Sequence, residues 1–503
     1  MWHFSFKYIY TCLGLLFVML GCTPQPHDVV PATDVLCIYP DYQDITVPCN
    51  IAPLNFMMRG DYDAISIAIT ATNAAESKKI ADRKANGAKV IFDTDSWHEM
   101  LCQHQGEHLQ ITVTARQSAD AQWVQFPPFS WTISTDSIDS YLTYRLIEPG
   151  YEVWDKVCIE ERCTENFSQR LLADGRELGN RCMNCHTHGG DRGQYSFFYV
   201  RGEKGGAIVN REGHLRKVTL KNDKMCSGTV YGDWHQSGRY AVYSSNIIIP
   251  AFHRISSRRL EVFDSQSDLC VVDFERDSLL LCPLVSNTAA SFETFPTFSA
   301  DGRSIYFCSA QNTCGDTIPS VRDLRPTIEQ LHYSLCRIAF DAETGQFGET
   351  IDTLYDAMQE NASINFPKCS SDGKWLCYTQ SDYGTFPIWH KEAKLCLMDL
   401  TSADSPTIIN TQENGTYHSW SHNSKWIAFA SKRVDGQYGR VYFMHINDDG
   451  TCTKPLVLPQ ADPEMDDWNL RSYNIPDLST LSVPFGERDV KMLVEDMAAI
   501  PFK

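Results

Sequence analysis

The chain is expected to be mainly β: an N-terminal β-sandwich, a short helical connector, and a C-terminal β-propeller of six blades. Three observations lead there. Apolar residues alternate at period two through the first third. A turn-and-strand unit then recurs through the last three hundred residues. Between them lies a stretch with helical spacing that ends in Cys182-Met183-Asn184-Cys185-His186.

The length of 503 residues exceeds one compact core, so several domains are expected. A content of 43% hydrophobic residues excludes a largely disordered chain. The formal net charge is −19 and basic residues do not cluster, which argues against nucleic acid and against a polybasic membrane patch.

Residues 1–21 read as an export address. Lys7 precedes the mainly apolar run Ile9 to Leu20, too short to span a bilayer comfortably. Met19-Leu20-Gly21-Cys22 resembles the lipobox of bacterial lipoproteins, which implies lipidation at Cys22. Thr23-Pro24-Gln25-Pro26 makes residues 22–35 a tether rather than a continued helix. A soluble body anchored by lipid in a Gram-negative envelope is expected, at the outer membrane and facing the periplasm.

Residues 36–135 carry the alternating runs Ile65-Ser66-Ile67-Ala68-Ile69-Thr70, Leu109-Gln110-Ile111-Thr112-Val113-Thr114 and Phe129-Ser130-Trp131-Thr132-Ile133. They predict a β-sandwich of immunoglobulin or fibronectin type. In residues 136–192, Val153, Trp154, Val157 and Cys158, then Phe167, Leu171 and Leu172, predict the helical connector.

Residues 193–503 repeat one order: an apolar residue, Ser or His, a polar turn, a basic residue, a strand. The copies are Trp234-His235-Gln236-Ser237-Gly238-Arg239, Phe298-Ser299-Ala300-Asp301-Gly302-Arg303, Cys369-Ser370-Ser371-Asp372-Gly373-Lys374 and Trp420-Ser421-His422-Asn423-Ser424-Lys425. The turns suit hairpins because they tolerate positive φ. Such a unit cannot bury both faces alone, and radial stacking solves that problem. Phe197 to Leu220 can supply another blade. Residues beyond Ser472 complete a blade with the first strands. These segments resemble the propeller repeats of the TolB family, above all Trp426-Ile427-Ala428-Phe429-Ala430-Ser431-Lys432-Arg433.

Cys-x-x-Cys-His is the attachment motif of c-type haem. Two thiols add to the vinyl groups, and the adjacent histidine ligates iron. Cys182 and Cys185 are the anchors and His186 the proximal ligand. Met225, His235 and His253 are distal candidates by sequence proximity. His188 is too close to His186 to reach the opposite haem face easily. No independent cytochrome fold has room here, so haem would sit in a cleft between the connector and the propeller or sandwich. Two other readings stay open: a disulfide between the motif cysteines, and half of a zinc site. Setting aside Cys12, Cys22 and the motif pair leaves fifteen cysteines, an odd number. Cys158/Cys163 and Cys308/Cys314 are candidate pairs, while Cys308 also reads as a buried apolar thiol.

Ile51-Ala52-Pro53-Leu54-Asn55-Phe56, Tyr144-Arg145-Leu146-Ile147-Glu148-Pro149-Gly150-Tyr151, the attachment motif, and Arg201-Gly202 with Gly205-Gly206 resemble a family of Gram-negative envelope lipoproteins often labelled TolB-like or cytochrome c biogenesis-like. The resemblance implies architecture more than activity. The expected function is electron transfer or redox sensing through haem c. The alternative is a non-enzymatic scaffold with a structural cysteine pair, held at the membrane by its anchor and binding an envelope protein or glycan. No Gly-x-Ser-x-Gly elbow, His-Glu-x-x-His or P-loop is present to support an enzyme.

Overall fold

The computed structural model describes residues 25–72, 77–148, 154–183, 185–189, 193–252, 260–286, 290–314, 317–324, 326–402, 406–409 and 414–503. Residues 1–21, the expected export address, together with Cys22 and His253 lie outside them.

The alternating runs of the first third pair as expected. Ala64–Thr72 lies antiparallel to His108–Arg116, with Ile67 opposite Val113. Ile65, Ile67, Ile69, Ile111 and Val113 are all buried. The large sheet has seven strands, but the immunoglobulin-type sandwich is corrected. The other layer is a three-stranded sheet, Ile38–Tyr39, Phe56–Met58 and Lys89–Val90, together with a helix, Thr94–Gln103. The Asp93 side chain caps this helix by accepting from Ser96 N at 2.9 Å. Trp97, Met100 and Leu101 share its buried face. Trp97 meets Trp131 edge-on at 5.5 Å, and their indole N–H groups donate to Ile51 O and Tyr42 O. Two large side chains thus enter the core with their polar atoms satisfied.

Six sheets follow. Blade 1 takes its inner strand from Ser472–Ser479 and its others from Tyr141–Ile147, Cys158–Cys163 and Gln169–Asp174. Blade 2 runs Thr187–Gly189, Tyr195–Val200, Gly206–Arg211 and His214–Thr219, with Ile500–Pro501 added in parallel. Blades 3, 4, 5 and 6 have inner strands Thr229–Trp234, Ser291–Phe298, Ser363–Cys369 and Gly415–Trp420. Each inner strand touches the next in this order, and Ser472–Ser479 touches both Gly415–Trp420 and Thr187–Gly189, so the ring closes. That closed cycle defines a six-bladed propeller.

The recurrent Ser–turn–basic order has one cause. Ser299 donates its hydroxyl to Asp301 at 2.6 Å and accepts Ser304 N at 3.0 Å. Ser370 does the same with Asp372 and Trp375 N, and Ser421 with Asn423 and Trp426 N. The serine closes the hairpin from inside. Gly302 and Gly373 then sit at φ +71° and +73°, where a side chain is strained.

The helical connector is also corrected. Residues 141–174 are three propeller strands, so the propeller begins near Tyr141 rather than at residue 193. Blades bury both faces, which erases alternation; Ile159 and Glu161 are buried, as are Cys158 and Arg162. Apolar spacing there imitated a helix. Cys158 and Cys163 lie five residues apart on one extended strand, about 16 Å at ordinary rise, too far for a disulfide. Every described cysteine is a free thiol, including Cys308 and Cys314. No helix among the described residues is long and apolar enough to cross a membrane.

Candidate site at the propeller axis

The inner strands repeat one more pattern, just before the serine: Phe295-Pro296-Thr297, Phe366-Pro367-Lys368, Tyr417-His418-Ser419, Ile475-Pro476-Asp477 and Tyr231-Gly232-Asp233. In blade 2 the same place holds Cys185-His186-Thr187. The Cys185-His186 half of the attachment motif is therefore one blade's copy of the inner-strand repeat, and that half lies on the axis. This corrects the expected cleft between connector and propeller. It also follows a strand, Gln169–Asp174, and not a helix.

A bulge marks the first residue of four of these triplets. Phe295, Phe366, Tyr417 and Ile475 have φ between 44° and 53°, and strand register shifts at each. Tyr231, Phe295, Phe366 and Tyr417 form a collar, with successive ring centroids 4.5, 4.3 and 4.1 Å apart. Cys185 and Ile475 complete it around a cavity of about 60 Å³.

His186 is 4% exposed. Its Nε2 lies 3.3 Å from Thr143 O on the second strand of blade 1. His418 has the same relation to blade 5, with Nε2 2.9 Å from Cys377 O. In both rings Nδ1 is buried without a partner. Burial holds His186 well below the ordinary histidine range and His418 at about 4, so both are neutral. Burial also raises the Cys185 thiol, against the pull of Arg145 and Arg201. Arg145 fixes the segment: it donates to Met183 O at 3.2 Å and to Asn474 Oδ1 at 2.5 Å. Arg201 N donates to Cys182 O, and fully buried Met183 bridges to Val200.

Below the collar the third residues make a polar ring. Lys368 pairs with Asp233 at 3.0 Å, and Thr297 donates to the same carboxylate at 2.6 Å. Asp477 accepts His188 N at 2.8 Å, and burial raises its carboxyl. A second cavity of about 180 Å³ opens here. Lys368, Ser419 and Asp477 line both cavities, so the two adjoin. Both His188 ring nitrogens are buried without hydrogen-bond partners.

The other sequence candidates lie elsewhere. Met225 is buried behind Tyr243, whose hydroxyl approaches its sulfur at 3.9 Å. His235 is the blade 3 counterpart of the repeat serine; its Nδ1 meets Ser237 and its ring packs on Phe298. Neither lines the axial cavities. His418 and Asp477 were missed, and His188 was weighed only as a haem ligand. Aligning the repeat three residues earlier, on Phe-Pro, would have found them.

The donor set fits covalent haem: both thiols are free, and the adjacent imidazole keeps one ring nitrogen unengaged. Cys182, Cys185 and His186 are the residues that would hold it. The axial cavity, about 60 Å³, is far below the roughly 300–1,000 Å³ of small-molecule sites, so the fit is one of donors and not of space. No group of three or more His, Cys, Asp or Glu among the described residues is placed to hold a metal ion, so the zinc reading lacks a ligand set.

No family model matches the chain, and no curated protein matches it. Among solved structures, TolB from Acinetobacter baumannii is similar over 78% of this chain and 86% of its own, with 9% identity and a TM-score of 0.43. A hypothetical selenium-binding protein from Sulfolobus tokodaii is similar over 69% of this chain and 95% of its own, at 8% identity and TM-score 0.39. A puromycin-hydrolysing peptidase from Mycobacterium tuberculosis covers 88% of this chain and 56% of its own, at 10% and 0.37. Likenesses this weak carry no functional argument. The propeller stands on its own strand pairing.

Proposed function

We propose that the chain is a lipid-anchored envelope protein of TolB-like build that carries c-type haem at Cys182 and Cys185 with His186 as iron ligand, for electron transfer or redox sensing. One observation carries this. Five blades close the axis with Tyr-Gly, Phe-Pro, Tyr-His or Ile-Pro, so the fold does not require a Cys-His pair; blade 2 alone places thiol and imidazole there, with donors unengaged. Haem would supply one-electron chemistry. The chain's own part is to present two thiols and to keep His186 neutral by burial, with Nδ1 the ring nitrogen left without a partner.

A second reading is a scaffold that binds its partner through the axial channel. It is favoured by the equivalence of His186 and His418, since both imidazoles bond the preceding blade and that is a structural task. Both readings place the chain at the periplasmic face of the outer membrane, held by Cys22.

The test is the mass of the mature protein from an envelope that matures c-type haem, together with a pyridine haemochrome spectrum. The haem reading expects one covalent haem, lost in Cys182→Ser/Cys185→Ser. Apoprotein mass in a folded, lipidated chain refutes it and leaves the scaffold.

A further inference from the structure

The N-terminal domain leaves a long strand with a free edge. Ser77–Asn86 is hydrogen-bonded on one side to Ala64–Thr72, and no described strand pairs with its other side. In an antiparallel pair every second residue turns its N–H and C=O away from the partner. That outward row of donors and acceptors is a template for another strand.

A groove of about 630 Å³ lies beside this edge. Residues 78–83 form one wall, and the helix Thr94–Gln103 contributes Ser96, Glu99 and Gln103 to the other. Six consecutive residues of the strand line it, so side chains of both its faces are reached and the groove opens at the edge. An exposed edge of this kind takes extended peptides by strand addition: main-chain bonds give affinity, and side-chain contacts give specificity.

Charge on the strand selects the peptide. Lys78, Lys79, Arg83 and Lys84 stand against Asp82 alone, a net of +3 in a chain of formal net charge −19. Lys79 pairs with Asp82 at 2.5 Å, and Lys78, Arg83 and Lys84 have no ion-pair partner among the described residues. Register spreads these three over both faces. Lys78 lies opposite Ala71 and Arg83 opposite Ile67, on the groove side, while Lys84 lies opposite Ser66 on the other. The acids of the groove are already engaged: Glu107 meets His104 Nδ1 at 2.7 Å, and Glu99 accepts from Gln103 at 3.0 Å. The same strand of a second copy would bring like charges together and is repelled, whereas a segment bearing carboxylates is attracted.

We propose that this edge takes up an acidic, extended segment of another protein as an added strand, its carboxylates meeting Lys78 and Arg83 on the groove side and Lys84 on the other. The site is independent of whatever occupies the axis.

The experiment is fluorescence anisotropy of labelled ten-residue peptides titrated with the whole mature protein. The probe repeats Glu-Glu-Thr-Val, which puts acids on both faces of an extended chain. One comparison peptide has Lys for each Glu. The other keeps the acids but carries N-methyl groups on alternate backbone amides, which removes main-chain donors and leaves the charge. The acidic probe is expected to bind, and each comparison to bind about tenfold more weakly or worse. Lys78→Glu with Lys84→Glu should weaken the probe by about tenfold or more, with the thermal midpoint unchanged. Cys182→Ser/Cys185→Ser at the axis should leave binding as it was. No binding at about 1 mM protein, equal binding of the N-methylated peptide, or binding indifferent to the charge reversal overturns the proposal. Lys78 is exposed, so Lys78→Glu alone stays informative if the double variant fails to fold.

Discussion

His390 is a buried imidazole between two carboxylates. Its Nε2 lies 3.0 Å from Glu261 and its Nδ1 2.8 Å from Glu392, and both His390 and Glu261 side chains are 0% exposed. Glu261 belongs to the long strand Leu260–Asp273 of blade 3, whereas His390 precedes Lys394–Asp399 of blade 5. The contact therefore ties two non-adjacent blades. Burial opposes charge on the ring, but the hydrogen bonds from Glu261 and Glu392 outweigh it and lift the imidazole to about 9. The unfolded value is about 6.5. A group raised on folding stabilises fully below its unfolded value and loses that contribution as pH rises through its folded one. The window is thus about 6.5 to 9, and the difference is worth about 3 kcal/mol. Guanidinium unfolding followed by tryptophan fluorescence, at several pH values across this window, should show the wild type losing about 3 kcal/mol more than His390→Gln. Equal slopes in the two proteins would refute a charged His390.

Phe366 stands in the collar between Phe295 and Tyr417, at 4.3 and 4.1 Å. Phe366→Ala should lower stability by about 3–5 kcal/mol in the same unfolding assay. Gly302→Ala should cost about 1–3 kcal/mol, because a Cβ there meets the His235 ring at a backbone φ of +71°; a thermal midpoint equal to wild type would contradict the turn geometry.

The residues announced the propeller through hydrogen-bonding needs. Ser299, Ser370 and Ser421 recur because each must close a hairpin from inside, and that demand fixes residue type at a fixed spacing. Of blade 1 only the closing strand beyond Ser472 was legible; Tyr141–Ile147, Cys158–Cys163 and Gln169–Asp174 were not, because they lack this serine turn and carry buried residues on both faces. The helix Thr94–Gln103 was announced by Asp93 and by the spacing of Trp97, Met100 and Leu101, but strand runs on either side drew the reading toward an all-β domain. At the site, Cys182, Cys185 and His186 were visible as chemistry. Their place on the axis was not, because the equivalence of Cys185-His186 with Phe295-Pro296 shares position and no residue type. His418 stayed hidden for the same reason.

Blade 1 also sets a clock. Tyr141–Ile147 emerges early in synthesis, yet its neighbour Ser472–Ser479 is separated from it by more than three hundred residues of chain. Until the last segment arrives, two blade flanks stand open side by side, and Tyr141–Ile147 offers an unpaired edge to any passing strand. The nascent chain therefore keeps this edge unpaired for most of its synthesis. The final residues carry the added duty of sealing both sides at once, because Ile500–Pro501 goes on from blade 1 to join blade 2.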